Sequence, residues 1–388
     1  MDAARPTIVP TLPRSLYLET TNRCDSACQT CIRTFMRLEP PKDLTLAELK
    51  QIVEQFPVLE RVILHGIGEP LLNRELFAMV AYLKAKGAVV LFNSNAISLT
   101  PQHALQLIGS GLDEYRVSMD AATRGAYQRI RGVDQFDRVV KNVRGLINLQ
   151  RRLKQKRPRV SLWFTAMNAN IEELPAFVRL AHELGVPEVH VQRLVFYGQG
   201  LAVEAQSLHG ALHQRQEELI GEAERLAAML EIAFTASGAS TPLASLRGTP
   251  HEALPHHWNE KASSPPILTF PPGTLWVRGR DTSRDLLPPR RGRIQVGGIF
   301  EGNDQATRPW AGCQRPWTIS YITANGSVLP CCISPWTAQD YRGLILGNAF
   351  TDEFVTIWNG RRYQAFREAF DTDAPPDPCR GCGLLWSV

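Results

Sequence analysis

The chain has 388 residues, of which 44% are hydrophobic and 21% charged, and its formal net charge is +5. Domains run at roughly 100 to 200 residues each, so this length fits one large domain with an appendage and a sizeable core. So small a charge is unlike that of a nucleic-acid binder, the start Met1-Asp2-Ala3-Ala4-Arg5-Pro6 lacks the apolar region of a signal peptide, and no run of about 18 apolar residues occurs. These features argue against nucleic acid and membrane as partners, and for a cytoplasmic protein with a compact substrate.

Short β-rich runs alternate with helical patterns six times. Strands are expected at residues 16–18, 62–64, 89–92, 115–117, 160–164 and 189–191. Residues 46–56, 75–86, 136–149 and 174–184 place apolar side chains three and four apart, with Gly87 and Gly185 as stops, and 214–230 supplies a sixth helix. That order predicts an α/β fold: a partial (β/α)6 TIM-like barrel over residues 1–236. From 237 to 311 Pro, Gly and Arg accumulate, as in Pro288-Pro289-Arg290-Arg291-Gly292-Arg293, which reads as an insertion or lid. Its Arg278, Arg280, Arg284, Arg290, Arg291 and Arg293 are candidates for clamping an anionic substrate, the alternative being a solvated loop. Residues 312–388 read as a small α+β module, with an alternating stretch at 317–328 around the Asn325-Gly326 turn and a helix at 354–370.

Eight cysteines in a reducing compartment ask for a metal explanation before a disulfide one. Cys24, Cys28 and Cys31 follow the first strand at spacings of four and three, in the loop at its carboxyl end, where the active sites of βα barrels lie. Three thiolates suit an iron-sulfur cubane with one iron left open, whereas a zinc site would ask for a fourth ligand close by.

This CxxxCxxC loop, Gly66-Ile67-Gly68-Glu69-Pro70 after the second strand, and Ser118-Met119-Asp120 after the fourth together resemble the radical S-adenosylmethionine (SAM) superfamily over roughly residues 15–235. The resemblance implies a 4Fe-4S cluster on Cys24, Cys28 and Cys31 whose open iron binds SAM, cleavage of SAM to a 5'-deoxyadenosyl radical, and an electron donor such as flavodoxin or ferredoxin. It implies SAM contacts from Gly68, Glu69, Asn95, Ser118, Asp120, Arg131 and Asn170: carbonyls for the ammonium, a hydroxyl and a carboxylate for the ribose, a guanidinium fork for the carboxylate. Read singly, Gly68-Glu69-Pro70 is also a strand-ending turn, and Ser118 or Asp120 a helix cap.

Cys313, Cys331, Cys379 and Cys382 bracket the tail, enough for a complete second cubane or a four-cysteine zinc site. The run from Asn325 to Cys331, with Leu346-Gly347-Asn348, Ile357-Trp358-Asn359 and the closing CxxC, resembles the SPASM and twitch auxiliary-cluster domains over about residues 313–382. Full SPASM domains carry seven cysteines; the five here ligate one auxiliary cluster. Cys331 fits the family spacing, which leaves Cys332 as a buried spectator or a hydrogen-atom donor.

Only 23 residues precede Cys24, which disfavours a leader-dependent peptide substrate. The expected substrate is a small metabolite such as a sugar, aminocyclitol or nucleoside, oxidised with the help of the auxiliary cluster. A redox-neutral decarboxylase or epimerase, or a peptide-modifying enzyme, are the alternatives, and a non-catalytic metal protein is the reading from another class.

Overall fold

The structure, a computed structural model, describes residues 5–247, 313–337, 340–370, 372–380 and Cys382. The arginines from Arg278 to Arg293 lie outside the described residues.

Among the described residues ten strands make one sheet: β1 Ser15–Leu18, β2 Arg61–Ile63, β3 Val89–Ser94, β4 Glu114–Ser118, β5 Arg159–Ala166, β6 Glu188–Arg193, β7 Ala233–Ala236, β8 Ile319–Ile322, β9 Ser327–Leu329 and β10 Gly347–Asn348, in the order β10-β9-β8-β1-β2-β3-β4-β5-β6-β7. From β8 to β7 every neighbouring pair is parallel; β9 and β10 turn back antiparallel. The six expected strands are β1 to β6. Two further parallel strands extend the partial barrel. β7 follows the sixth helix directly, in the short run Ala233-Phe234-Thr235-Ala236 whose side chains are half-buried or exposed. β8, read from sequence as part of a separate module, lies beside β1 with Ser15 opposite Ile319 and Leu18 opposite Ile322.

The outer helices follow from local chemistry. Thr45 caps Leu46–Val53 in a reciprocal box with Glu48, and Leu49, Ile52 and Val53 face the core. Gly185, at φ 73°, ends Leu174–Leu184. Two helices beyond the expected set, Pro101–Gly109 and Arg124–Arg131, start at the capping threonines Thr100 and Thr123. The second is so rich in arginine that its core stripe, Ala126, Tyr127 and Ile130, is short.

The helix expected over 354–370 is two, Phe354–Trp358 and Arg361–Phe370. Between them Asn359 turns to the amino-terminal segment and pairs with both backbone groups of Val9, at 2.8 and 2.9 Å. Trp317, Trp358 and Arg367 donate to the carbonyls of Pro6, Thr11 and Thr7. Tail and amino terminus are therefore stitched together, which fixes β8 against β1.

Candidate active site

The loop of residues 21–31 leaves β1 with its polar groups tied to neighbouring loops. Asn22 donates to the Pro40 carbonyl and accepts from the Lys42 N–H, at 2.7 and 2.8 Å. The N–H groups of Ala27 and Gln29 reach the carbonyls of Arg131 and Ile130. Two glycines let these backbones close. A Cβ on Gly68 would stand 2.0 Å from the Thr21 carbonyl oxygen, and one on Gly132, whose φ is +69°, 2.1 Å from that of Ala27. Gly68 borders the cavity described below. The side a Cβ would occupy, however, is filled by the cysteine loop, so the glycine serves the loop's packing.

Cys24, Cys28 and Cys31 line one cavity. Burial, reinforced by Glu69 and Cys28, pushes the Cys24 thiol up to about 12; burial and Cys28 push Cys31 up to about 11. The Cys24 and Cys31 thiols, which resist ionisation here, are suited to a cationic centre that supplies the missing positive charge. Among the described residues no three His, Cys, Asp or Glu side chains are drawn around a single point as one metal ion requires; a cubane spreads its thiolates over separate irons.

The other expected contacts divide into two groups. Gly68, Glu69, Asn95, Ser118 and Arg131 line the cavity. Within that group two side chains are spent on architecture. The buried Glu69 carboxylate accepts from Ser94 Oγ, the Asn95 N–H and the Leu71 N–H at 2.8, 2.7 and 3.1 Å, and burial pushes it up to about 7. Asn95 donates to Asp25 Oδ1 at 2.7 Å and stands 3.7 Å from Cys24 Sγ. Asp120 and Asn170, expected as ligand contacts, are not among the residues that line the cavity. Asp120 Oδ2 accepts from Arg131 Nη1 and its Oδ1 from the Thr165 N–H; Asn170 holds the carbonyls of Asp120 and Thr165 and the N–H of Met167. Asp120 thereby holds Arg131, and Asn170 holds the backbone of Asp120.

The cavity, about 230 Å³, also takes side chains that motif reading missed: Tyr17, His65, Arg116, Trp163, Arg315 and Trp336. A signal existed. Arg116 lies two residues before Ser118 and Trp163 two before Thr165, so strand alternation turns them to the same interior face. The Arg116 guanidinium lies over the Trp163 ring, 4.7 Å from its centroid, and forks onto Glu114 Oε2 through Nε and Nη2. His65 stacks on Trp336 at 5.5 Å, and burial with Arg116 nearby pushes it down to about 4, so it is neutral at physiological pH.

The tail cysteines lie within electrostatic reach of one another. The charges that Cys379 feels among thiols are those of Cys331, Cys313 and Cys382, all of which raise it together with burial. Cys332 also feels the charges of Cys331 and Cys313. It lines the cavity, receives Arg315 Nη1 at 3.2 Å on its sulfur, and is pushed up to about 11 chiefly by burial.

A family model described as the radical SAM superfamily matches residues 18–154, and one described as an iron-sulfur cluster-binding domain, SPASM, matches residues 313–383. The chain belongs to the radical SAM superfamily. An AdoMet-dependent heme synthase of Nitratidesulfovibrio vulgaris is 24% identical over 94% of this chain and 83% of its own length. A pre-heme d1 synthase of Dinoroseobacter shibae is 26% identical over 52% of this chain and 48% of its own, and most of the curated relatives are likewise matched over about half their length. SuiB of Streptococcus suis, solved with S-adenosylmethionine, has a TM-score of 0.62 at 16% identity, covering 97% of this chain and 72% of that one, which shows a shared fold.

The residues present fit the cofactors of a radical SAM enzyme with a SPASM domain, SAM and 4Fe-4S clusters. Three sulfur donors on a locked loop border the same cavity as Arg131, a buried guanidinium whose Nε has no hydrogen-bond partner. A buried donor of that kind is costly unless a ligand accepts from it. No helix of the described residues is long and apolar enough to cross a membrane.

Proposed function

We propose that this radical SAM enzyme removes a hydrogen atom from a compact substrate held in the cavity between its two cysteine sets, and that one auxiliary cluster on Cys313, Cys331, Cys379 and Cys382 assists the oxidation. The single observation that carries this reading is the shared cavity: Cys24, Cys28 and Cys31 border it from the barrel, and Arg315, Cys332 and Trp336 from the tail. Cys24, Cys28 and Cys31 would hold the 4Fe-4S cluster, which would supply the electron for cleaving SAM to a 5'-deoxyadenosyl radical. The chain's own part is to hold and shield. Gly68, Ser118 and Arg131 border the SAM side, Asn95 and Asp120 position their neighbours, and Tyr17, Trp163 and Trp336 wall the substrate side with aromatic surface that excludes water. Residues 1–236 are taken as the barrel domain, 237–311 as an insertion and 312–388 as the auxiliary-cluster domain. The reductant proposed is a flavodoxin or ferredoxin.

The substrate proposed is a sugar, aminocyclitol or nucleoside-like metabolite. A second reading, a tetrapyrrole carrying acidic groups, is favoured by Arg116 stacked over Trp163 in the wall and by a relative named as a heme synthase that aligns over 94% of this chain. Anaerobic turnover with deuterated candidates of both classes tests the proposal: deuterium should appear in 5'-deoxyadenosine with one class. No 5'-deoxyadenosine from SAM under reduction, with the iron in place, would overturn the reading as a whole.

A further inference from the structure

Guanidinium groups gather around the tail cysteines more densely than a cavity wall requires. Arg315 Nη1 donates to Cys332 Sγ at 3.2 Å, and its charge also acts on Cys313 and Cys382. Its backbone N–H bonds to Cys313. From the barrel side Arg193, at the end of β6 and 2% exposed, is within electrostatic reach of Cys382. Arg5 donates to the Cys313 carbonyl at 2.8 Å and acts on its thiol. Asp377, beside Cys379, is the carboxylate that opposes them. Burying Arg193 and Arg315 is expensive unless negative charge balances them.

We propose that Arg315, aided by Arg193, is a positioning residue that holds fixed positive charge against the auxiliary centre and raises its reduction potential, so that the centre is poised to take up an electron beside the cavity. The inference rests on the reading of Cys313, Cys331, Cys379 and Cys382 as its ligands. Reduction adds a negative charge to a group already carrying four thiolates. A guanidinium that stays protonated at any physiological pH stabilises that reduced form more than the oxidised one, and in a buried site the attraction is little screened. Net charge and hydrogen bonding near the sulfurs are the levers that set such potentials. Arg315 also borders the cavity, so the same side chain faces the substrate and the acceptor.

The test isolates the auxiliary centre by replacing Cys24, Cys28 and Cys31 with Ala in the full chain, then measures iron, sulfide and the midpoint potential by spectroscopically monitored redox titration. In that background Arg315→Gln is expected to keep its iron and to titrate at a distinctly more negative potential, while Arg315→Lys stays nearer the parent. Iron retained with an unmoved midpoint in Arg315→Gln, or a lysine variant no closer to the parent than the glutamine one, overturns the inference. If Arg315→Gln loses its iron, Arg193→Gln decides: a lowered midpoint supports the charge effect and an unmoved one refutes it. A parent background that binds zinc, or no iron, overturns the ligand reading itself, and the inference falls with it.

Discussion

Asp120 and Arg131 form a buried ion pair, Oδ2 to Nη1 at 2.9 Å, while the other carboxylate oxygen accepts the Thr165 N–H at 2.7 Å. Asp120 stands at φ 61°, a left-handed conformation that aspartate tolerates better than most residues, so the backbone itself is bent to deliver this carboxylate. Burial opposes the Arg131 charge, but Cys28 and Asp120 raise its pKa on balance, so the guanidinium stays protonated.

Removing one partner of such a pair leaves a buried charge uncompensated. Asp120→Ala is expected to cost about 3 to 5 kcal/mol of stability, and Asp120→Asn less because an acceptor for Thr165 remains. Arg131→Ala should weaken SAM by about 1.5 to 3 kcal/mol, one charge-assisted contact, with iron content unchanged. Urea unfolding and calorimetric SAM titration check both. SAM affinity untouched in Arg131→Ala would remove that residue from the cofactor site.

Gly132 offers a sharper structural test than the cysteines do. An alanine there would meet the Ala27 carbonyl at 2.1 Å and sit at φ +69°, so both backbone and loop must shift. Gly132→Ala is expected to cost about 1 to 3 kcal/mol from conformation alone, and more from the clash. Because Ala27 precedes Cys28, iron at the first site should fall as well. Gly145→Ala, at an exposed position inside the helix Phe136–Leu153 whose added Cβ meets nothing within 4 Å, is the control: it should keep the iron and lose no stability.

Buried histidine gives a pH dependence with a definite sign. His190 sits beside Trp163 with Nδ1 2.7 Å from Thr235 Oγ1 and Nε2 3.2 Å from Ser237 Oγ, and burial, then Arg116, pushes it down from 6.5 to about 3. Below pH 6.5 the unfolded chain takes up a proton that the folded chain refuses. The contribution is therefore complete above that pH and is lost as pH falls. Relative to His190→Gln, the wild type should lose up to about 1.4 kcal/mol per pH unit as the pH drops below about 6.5. Stability curves that run parallel would show that His190 is protonated inside the fold.

The legible part of this molecule was whatever strand period and motif spacing control locally. β1 to β6 and the helix Leu174–Leu184 follow from apolar periodicity, because each buries a regular face. β7 did not, since it is four residues long with no buried side chain, and β8 was read as part of a module because pairing across 300 residues leaves no local trace. The site divides in the same way. Cysteine spacing located both thiol sets, but the work of Glu69, Asp120 and Asn170 depends on which loops meet in space. Nothing in the sequence around Arg315 hints that it bonds to Cys332 at the cavity wall.

The adjacent pair Cys331-Cys332 gives the decisive test of the tail. Cys331, proposed as a ligand with Cys313, Cys379 and Cys382, acts on the thiols of Cys313 and Cys379, and its sulfur lies 3.2 Å from Ser334 Oγ. Cys332 lines the cavity under Arg315. Anaerobically reconstituted wild type should therefore bind about eight iron and eight sulfide, two cubanes. Cys331→Ala should fall to about four of each, whereas Cys332→Ala should keep about eight. Activity then separates the two roles left for Cys332. If it returns a hydrogen atom to the substrate radical, Cys332→Ala continues to form 5'-deoxyadenosine but accumulates radical or side products in place of the normal product. If it only fills space, turnover persists. Loss of about half the iron in Cys332→Ala, with Cys331→Ala intact, would reverse the assignment and make the cavity-facing thiol the ligand.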